Sequence, residues 1–143
     1  MNFNVALRDG PGSFAGRVEL NNGTRGSLCD TDLTIHVGHV ICRQLGYPRA
    51  VATPCCNAFG SGTSSFWLYD VKCSGNESKL ADCDFKAGAP TICDPRFDFA
   101  SVVCENPSIT DSKFITGFQI NWMNHLRYNG TKIQSLGVEI GKF

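Results

Sequence analysis

A chain of 143 residues suits one domain with a short appendage, and it can bury a moderate hydrophobic core. Its 13 basic and 13 acidic side chains cancel, and nothing in the sequence indicates the basic stripe that nucleic-acid binding requires. Hydrophobic residues make up 42% of the chain, yet no stretch approaches the roughly 18 apolar residues of a membrane-spanning helix.

The first thirty residues predict three short strands. Residues 5–7 and 16–20 are β-prone and are separated by the turn-rich residues 9–13. Residues 21–23 (NNG) predict a hairpin turn, because Asn and Gly tolerate the positive φ angles of tight turns. Residues 26–29 then return as the partner strand.

Residues 34–45 predict the main helix of the chain. Apolar side chains fall at i, i+3, i+4 and i+8, and polar side chains form the opposite stripe. Asp32 or Thr34 can cap the start of this helix, and Gly46 followed by Pro48 ends it. The apolar face comprises Val37, Val40, Ile41 and Leu45, and the polar stripe comprises His36, His39 and Arg43.

The following segments predict further strands and one helical turn. Residues 57–65 are rich in Gly and Ser, which indicates a loop, and residues 66–71 form a strongly β-prone run. Residues 77–83 predict a single helical turn with Leu80 facing inward, and residues 100–104 predict the last core strand. The order β-β-β-α-β-β predicts an α+β fold, in which a curved antiparallel β-sheet cradles one main α-helix.

The character of the chain changes after Pro107. Residues 108–143 contain no cysteine, and alternating apolar residues around Trp122, with a second hairpin signal at 128–131, predict two or three strands. So few strands are not stable alone. We therefore divide the chain into a domain at 1–106 and a C-terminal β-rich tail at 107–143, which docks on the domain, begins another domain or pairs with a second chain.

Eight cysteines lie within 76 residues, a density typical of disulfide-stapled proteins from an oxidising compartment. The chain lacks the paired Cys-x-x-Cys or Cys/His clusters that indicate zinc. Three sequons, at Asn22, Asn76 and Asn129, predict N-glycosylation and fit a secreted or extracellular location. The cysteines are Cys29, Cys42, Cys55, Cys56, Cys73, Cys83, Cys93 and Cys104.

Groups suited to catalysis are few. His36 and His39 lie three residues apart on the predicted helix, but two ligands alone make a poor metal site. A dyad of Cys56 with a histidine would need a reduced, activated thiolate, and no sequence feature places a base beside it. We therefore interpret the chain as non-catalytic.

Six segments form an ordered pattern: 16–20 (GRVEL), 26–30 (GSLCD), 40–48 (VICRQLGYP), 67–78 (WLYDVKCSGNES), 80–83 (LADC) and 100–104 (ASVVC). In order and spacing this pattern resembles the scavenger-receptor cysteine-rich (SRCR) domain family in its six-cysteine form. The resemblance covers residues 5–105. It implies the curved sheet around one helix described above, and an extracellular module that binds ligands in recognition, cell adhesion or innate immunity.

The resemblance implies a disulfide framework of Cys29–Cys93, Cys42–Cys104 and Cys73–Cys83. Cys55 and Cys56 have no counterpart in the six-cysteine family. They can bond each other, stay reduced or bond another chain. Adjacent Cα atoms lie about 3.8 Å apart, below the usual disulfide range of about 4.4–6.8 Å, so a vicinal bond would be strained and readily reduced.

The resemblance also implies a divalent cation, Ca²⁺ or Mg²⁺, that bridges to an anionic group of the ligand. Family members hold it with two adjacent aspartates and a later glutamate. The first aspartate matches Asp30, Thr31 takes the second position, Asp32 follows, and the glutamate matches Glu77. The family has a second site with a pair of acidic residues. Here Asp70 matches one of them, and Tyr69 stands in the place of the other. Residues 30–106 carry nine acids against six bases, a net charge of −3 that is compatible with cation binding.

A bacterial-binding stretch of the family begins with Arg-Val-Glu, which matches residues 17–19 here. Arg25 stands where that stretch has an aromatic residue. The resemblance thus points to ligand contacts at Arg17, Glu19 and Arg25.

The preferred function from sequence is extracellular, non-catalytic recognition of a protein or polyanionic ligand, bridged by a divalent cation. The alternative is a structural subunit or adhesion module of an extracellular assembly. In that case the chain would join its neighbours by self-association through residues 107–143, or through Cys55 and Cys56.

Overall fold

The computed structural model describes residues 2–106, which form seven strands, one α-helix and one 3₁₀ turn. The strands are β1 (Asn4–Gly12), β2 (Ala15–Asn21), β3 (Arg25–Leu28), β4 (Ala50–Ala52), β5 (Phe66–Lys72), β6 (Asp84–Ala87) and β7 (Ser101–Cys104). Helix α1 spans Ile35–Gln44, and the 3₁₀ turn spans Leu80–Asp82. Within these residues no helix is long and apolar enough to cross a bilayer.

Strand β2 lies at the centre of the sheet. β1 pairs antiparallel with β2 along one edge, from Asn4 opposite Asn21 to Gly12 opposite Ala15. Two strands pair with the other side of β2. β7 pairs with its residues 15–17, and β3 pairs with its residues 19–21. β4 continues the sheet beyond β7, and β5 and β6 continue it beyond β3.

The α+β fold with one main helix is confirmed, but the sheet is mixed rather than wholly antiparallel. β3 and β5 run parallel, because the connection between them crosses over through α1. β4 and β6, of three and four residues, were not predicted. β1 continues through the predicted turn at 9–13, with an irregular register between Asp9 and Gly12.

Helix α1 packs its predicted apolar face into the core, against β4 and β7. It ends at a left-handed glycine, Gly46, whose φ is 95°. The N–H groups of Gly46 and Tyr47 donate to the carbonyl oxygens of Arg43 and Cys42, which satisfies the last turn of the helix. The observed helix spans Ile35–Gln44, so the predicted range 34–45 is longer by one residue at each end.

Four disulfides staple the fold. Cys29–Cys93, Cys42–Cys104 and Cys73–Cys83 join residues 64, 62 and 10 positions apart. These are the three pairs that the family resemblance implies. The fourth bond joins Cys55 to Cys56, so of the three states left open for this pair the structure contains the vicinal bond.

Candidate ligand-binding site

The loop before the 3₁₀ turn is fastened to the end of α1. Nη2 of Arg43 donates hydrogen bonds to the carbonyl oxygens of Gly75 and Glu77, the latter at 2.9 Å. Oε1 of Gln44 accepts a hydrogen bond of 2.8 Å from the N–H of Leu80. The position of the helix therefore sets the position of the loop, which we call the Glu77 loop (residues 73–79).

The carboxylate of Glu77 accepts three hydrogen bonds from its own loop. The N–H of Ser74 reaches Oε2 at 2.9 Å, and the Ser74 hydroxyl and the N–H of Gly75 each reach Oε1 at 3.0 Å. These donors, the Ser74 N–H first among them, lower the pKa of Glu77 to about 2. The carboxylate therefore stays ionised to a lower pH than an ordinary glutamate, and its own loop already uses three of its hydrogen-bond acceptor positions.

We expect Glu77 to hold its loop at neutral pH and to release it in acid. Because the folded-state pKa lies below the ordinary glutamate value of about 4.3, the stabilisation is present above that value. It is lost as the pH falls toward the folded pKa of about 2. An NMR titration of the Ser74 and Gly75 N–H shifts should give a midpoint near that value. The Glu77→Gln variant should lack the transition, and a wild-type midpoint at the ordinary glutamate value would contradict the assignment.

The two aspartates that follow β3 differ in accessibility. Asp30 is only 4% exposed, and its N–H donates to the carbonyl oxygen of Asp98. Asp32 is exposed, has a positive φ of 55°, and lines a shallow depression together with His36 and Lys72. Of the two, Asp32 is therefore the one that a ligand in this depression can reach.

His36 connects this depression with the Glu77 loop. A Cβ atom built on Gly75 would lie 3.2 Å from Nδ1 of His36, so the imidazole rests against the loop backbone. The N–H of the same glycine donates to Glu77. Asp32 and the Glu77 loop thus border one surface at the start of α1, which we call the Asp32–Glu77 surface.

One group of three metal-ligating side chains occurs within residues 2–106, and it is Cys73, Glu77 and Cys83. Its ligand atoms lie within 4.8 Å of one another, but the two sulfurs are bonded together and offer no thiolate. The predicted set of Asp30, Asp32 and Glu77 does not form such a group. A cation on this surface would need oxygens from water, backbone and ligand beside the carboxylates.

Asp70, the one acidic residue that matches the family's second site, forms an ion pair within the sheet. It lies on β5, and its Oδ2 is 3.3 Å from Nζ of Lys86 on β6. The same ammonium group lies 5.9 Å from the centre of the Tyr69 ring. Asp70 therefore contributes to the pairing of β5 with β6, and its role as a metal ligand stays a prediction.

The ligand contacts predicted on β2, Arg17 and Glu19, have buried side chains, and their role in binding stays a prediction. The Arg17 side chain is 10% exposed, with Nη2 2.8 Å from Oδ2 of Asp9. The Glu19 side chain is 6% exposed, with Oε1 3.2 Å from Nε of Arg8. Both ion pairs join β1 to β2, so each of these charged groups already has a partner within the sheet. Arg25, at the start of β3, is exposed.

Two of the three predicted glycosylation sites can be located. Asn22 lies in the turn between β2 and β3, and Asn76 lies in the Glu77 loop. Both are exposed, as attachment of a glycan requires. Asn129 lies outside the described residues, together with the predicted β-rich tail at 107–143.

A second surface, which was not predicted from the sequence, lies in the irregular segment between β6 and β7. Ile92 and Phe97 are 59% and 54% exposed there. Beside them runs a groove whose lining includes Phe66 and Phe99, with ring centres 4.7 Å apart. Irregular backbone has no hydrophobic period, so no pattern could have marked these side chains as neighbours.

Residues 8–105 match the family model of the scavenger receptor cysteine-rich domain. The chain belongs to the SRCR family. SRCR domains are non-catalytic modules that occur in secreted proteins and in the extracellular parts of larger ones. The order of strands, the single helix and the three disulfides implied by the family resemblance agree with this membership.

Among similar proteins, lysyl oxidase homolog 2 of Bos taurus is 40% identical over 100 residues, and that of Gallus gallus is 41% identical over 100 residues. Each match covers 69% of this chain but 13% of the relative, so the SRCR domain corresponds to a small part of those proteins. The crystal structure of the third SRCR domain of murine neurotrypsin has 38% identity and a TM-score of 0.63, covering 73% of this chain and 98% of that one. The SRCR domain of mouse MARCO, solved in its dimeric form, has 34% identity and a TM-score of 0.55. The match covers 64% of this chain and 86% of that one.

Proposed function

We propose that this SRCR domain is an extracellular binding module that recognises an anionic ligand at the Asp32–Glu77 surface through a bridging divalent cation. The observation that carries the proposal is that the exposed Asp32 lines the same depression as Cys73, the first residue of the loop that holds the Glu77 carboxylate in place. Ca²⁺ fits this chemistry, because it takes six to eight oxygen ligands in flexible geometry.

The neighbouring side chains support an anionic partner. Two carboxylates occupy only part of a calcium coordination shell, which leaves positions for water and for oxygens of the ligand. Lys72 lines the same depression as Asp32 and offers a second positive group. A sulfated or acidic ligand would therefore meet the cation and an ammonium group on one surface.

Calorimetric titration of the full chain with CaCl₂ tests the cation. We expect one weak site, with a Kd on the order of 10⁻⁴–10⁻³ M, as in other extracellular calcium modules. Asp32→Asn and Glu77→Gln should abolish the heat, whereas Asp84→Asn, an exposed aspartate on β6, should leave it unchanged. Absence of heat in the wild-type protein, or equal heat in all four proteins, would rule out the cation.

Dextran sulfate serves as the probe for the anionic ligand. The wild-type protein should bind it in the presence of CaCl₂ and lose it in EDTA, and Glu77→Gln should not bind it under either condition. Binding that persists in EDTA would show that basic side chains alone recognise the polyanion, and the bridging mechanism would then fail.

The alternative, a structural subunit of an extracellular assembly, has less support. Cys55 and Cys56 are bonded to each other and so provide no link to another chain. Residues 107–143 lie outside the described residues and supply no observation for it. The dimeric form of the mouse MARCO domain shows only that self-association occurs in one similar SRCR domain.

A further inference from the structure

Neither cysteine of the vicinal disulfide lines the depression that contains Asp32. The disulfide follows β4, and its two Cα atoms are 3.7 Å apart. Cys56 and the next residue, Asn57, have φ angles of 67° and 54°. Residues other than glycine rarely adopt this left-handed region, and each costs free energy to hold there. The disulfide ring therefore begins a sharp and strained turn of the chain.

The side chain of Asn57 joins this turn to two other segments. Its Nδ2 donates to Oγ of Ser61 at 2.9 Å and to the carbonyl oxygen of Pro95 at 3.1 Å. Its Oδ1 accepts a hydrogen bond of 3.0 Å from the N–H of Phe99. Asn57 thus ties the loop before β5 to the segment before β7.

The two segments that Asn57 joins form the walls of the groove beside Ile92 and Phe97. Residues 62–66 line one wall, residues 89–95 contribute to the other, and Phe99 completes the lining. The residue that follows the disulfide is therefore hydrogen-bonded to the backbone of both Pro95 and Phe99, which line the groove.

We propose that Cys55–Cys56 is a thiol–disulfide exchange site for an extracellular dithiol, and that its reduction loosens the groove. Reduction removes the ring that holds Cys56 in the left-handed region. The chain can then relax to negative φ, and the Asn57 side chain moves away from Pro95 and Phe99.

Accessibility makes this bond the first to react. A thiolate must reach a sulfur atom along the line of the S–S bond, so exchange rates depend on exposure. Cys56 is exposed and Cys55 is half-buried. Among the other six cysteines, Cys73 is half-buried and the remaining five are buried, namely Cys29, Cys42, Cys83, Cys93 and Cys104.

The exchange proceeds in two balanced steps. One thiolate of the dithiol attacks Sγ of Cys56, the S–S bond breaks, and the Cys55 sulfur leaves as a thiolate that takes a proton. The second thiol of the reagent then displaces Cys56 from the mixed disulfide, and Cys56 takes the second proton. Two electrons pass to the protein, and the reagent leaves as its own disulfide.

The fold should survive this reduction. A bond between adjacent residues closes no loop of chain, so it restricts the unfolded state far less than bonds across 64 or 62 residues. The three other disulfides continue to hold the sheet and the helix. The reduced protein is therefore a second folded state with a loosened groove.

Titration of the full native chain with dithiothreitol tests both parts of the proposal. After each step, free thiols are blocked with N-ethylmaleimide and located by peptide mapping. We expect Cys55 and Cys56 to be labelled at a reductant concentration at which the other six cysteines stay unlabelled. Labelling of another pair first, or of all pairs together, would overturn the exchange site.

Hydrogen exchange at the N–H of Phe99 tests the coupling to the groove. Reduction of the vicinal bond should raise the rate of this exchange by about fivefold or more. That factor corresponds to the net free energy of one neutral hydrogen bond. The double variant Cys55→Ser/Cys56→Ser should show the same increase without reductant, and Asn57→Ala should show it in both redox states. The N–H of Val18, bonded to the carbonyl oxygen of Ala100 in the sheet, is the internal control and should not change. An unchanged Phe99 rate in the reduced protein and in the double variant would overturn the coupling.

Discussion

Replacing Cys42 and Cys104 together by alanine is expected to lower the free energy of unfolding by about 4 kcal/mol, because the bond closes a long loop of the unfolded chain. The two cysteines lie 62 positions apart and join α1 to the last strand, β7. Both are almost fully buried, at 0% and 2% exposure. Urea unfolding, followed by circular dichroism, measures the change.

The other disulfides provide a graded control for this prediction. Removing Cys73–Cys83, which spans 10 positions, should cost about 3 kcal/mol by the same chain-entropy argument. The double variant Cys55→Ser/Cys56→Ser removes a bond of separation 1 and should cost the least. Equal losses in the three variants would show that loop closure does not govern the stability of this domain.

Local patterns predicted the elements of this fold well, and contacts between distant segments poorly. The helix was placed within one residue at each end, because its apolar period and its terminal glycine are local features. The parallel pairing of β3 with β5 was missed, because it depends on how residues 29–65 cross over the sheet. It also depends on Gly26, where a Cβ atom would lie 1.9 Å from Cδ2 of Trp67, so that only glycine lets the indole lie against β3.

The same distinction applies to the functional residues. The hydrogen bonds of Glu77 come from residues two and three positions earlier, so the sequence could have indicated them. The burial of Arg17 and Glu19 could not be anticipated, since it results from the long pairing of β1 with β2. Neither could the contact of His36 with the Glu77 loop, which depends on where α1 packs.

A comparison of two isoleucines tests whether the core around α1 carries the stability that its burial indicates. Ile41 of α1 is 0% exposed, whereas Ile92 is 59% exposed in the segment before β7. Ile41→Ala should lower the free energy of unfolding by about 2–5 kcal/mol, through lost burial and the cavity left behind. The better helix propensity of alanine offsets only a few tenths of a kcal/mol of this loss.

Ile92→Ala removes the same atoms from an exposed position and should change the free energy of unfolding by no more than about 0.5 kcal/mol. Urea unfolding of both variants with all four disulfides intact measures the difference. A small loss for Ile41→Ala would mean that the disulfides alone maintain the fold. A large loss for Ile92→Ala would mean instead that this side chain is covered in the full-length protein, because an isoleucine in contact with solvent gains little by folding.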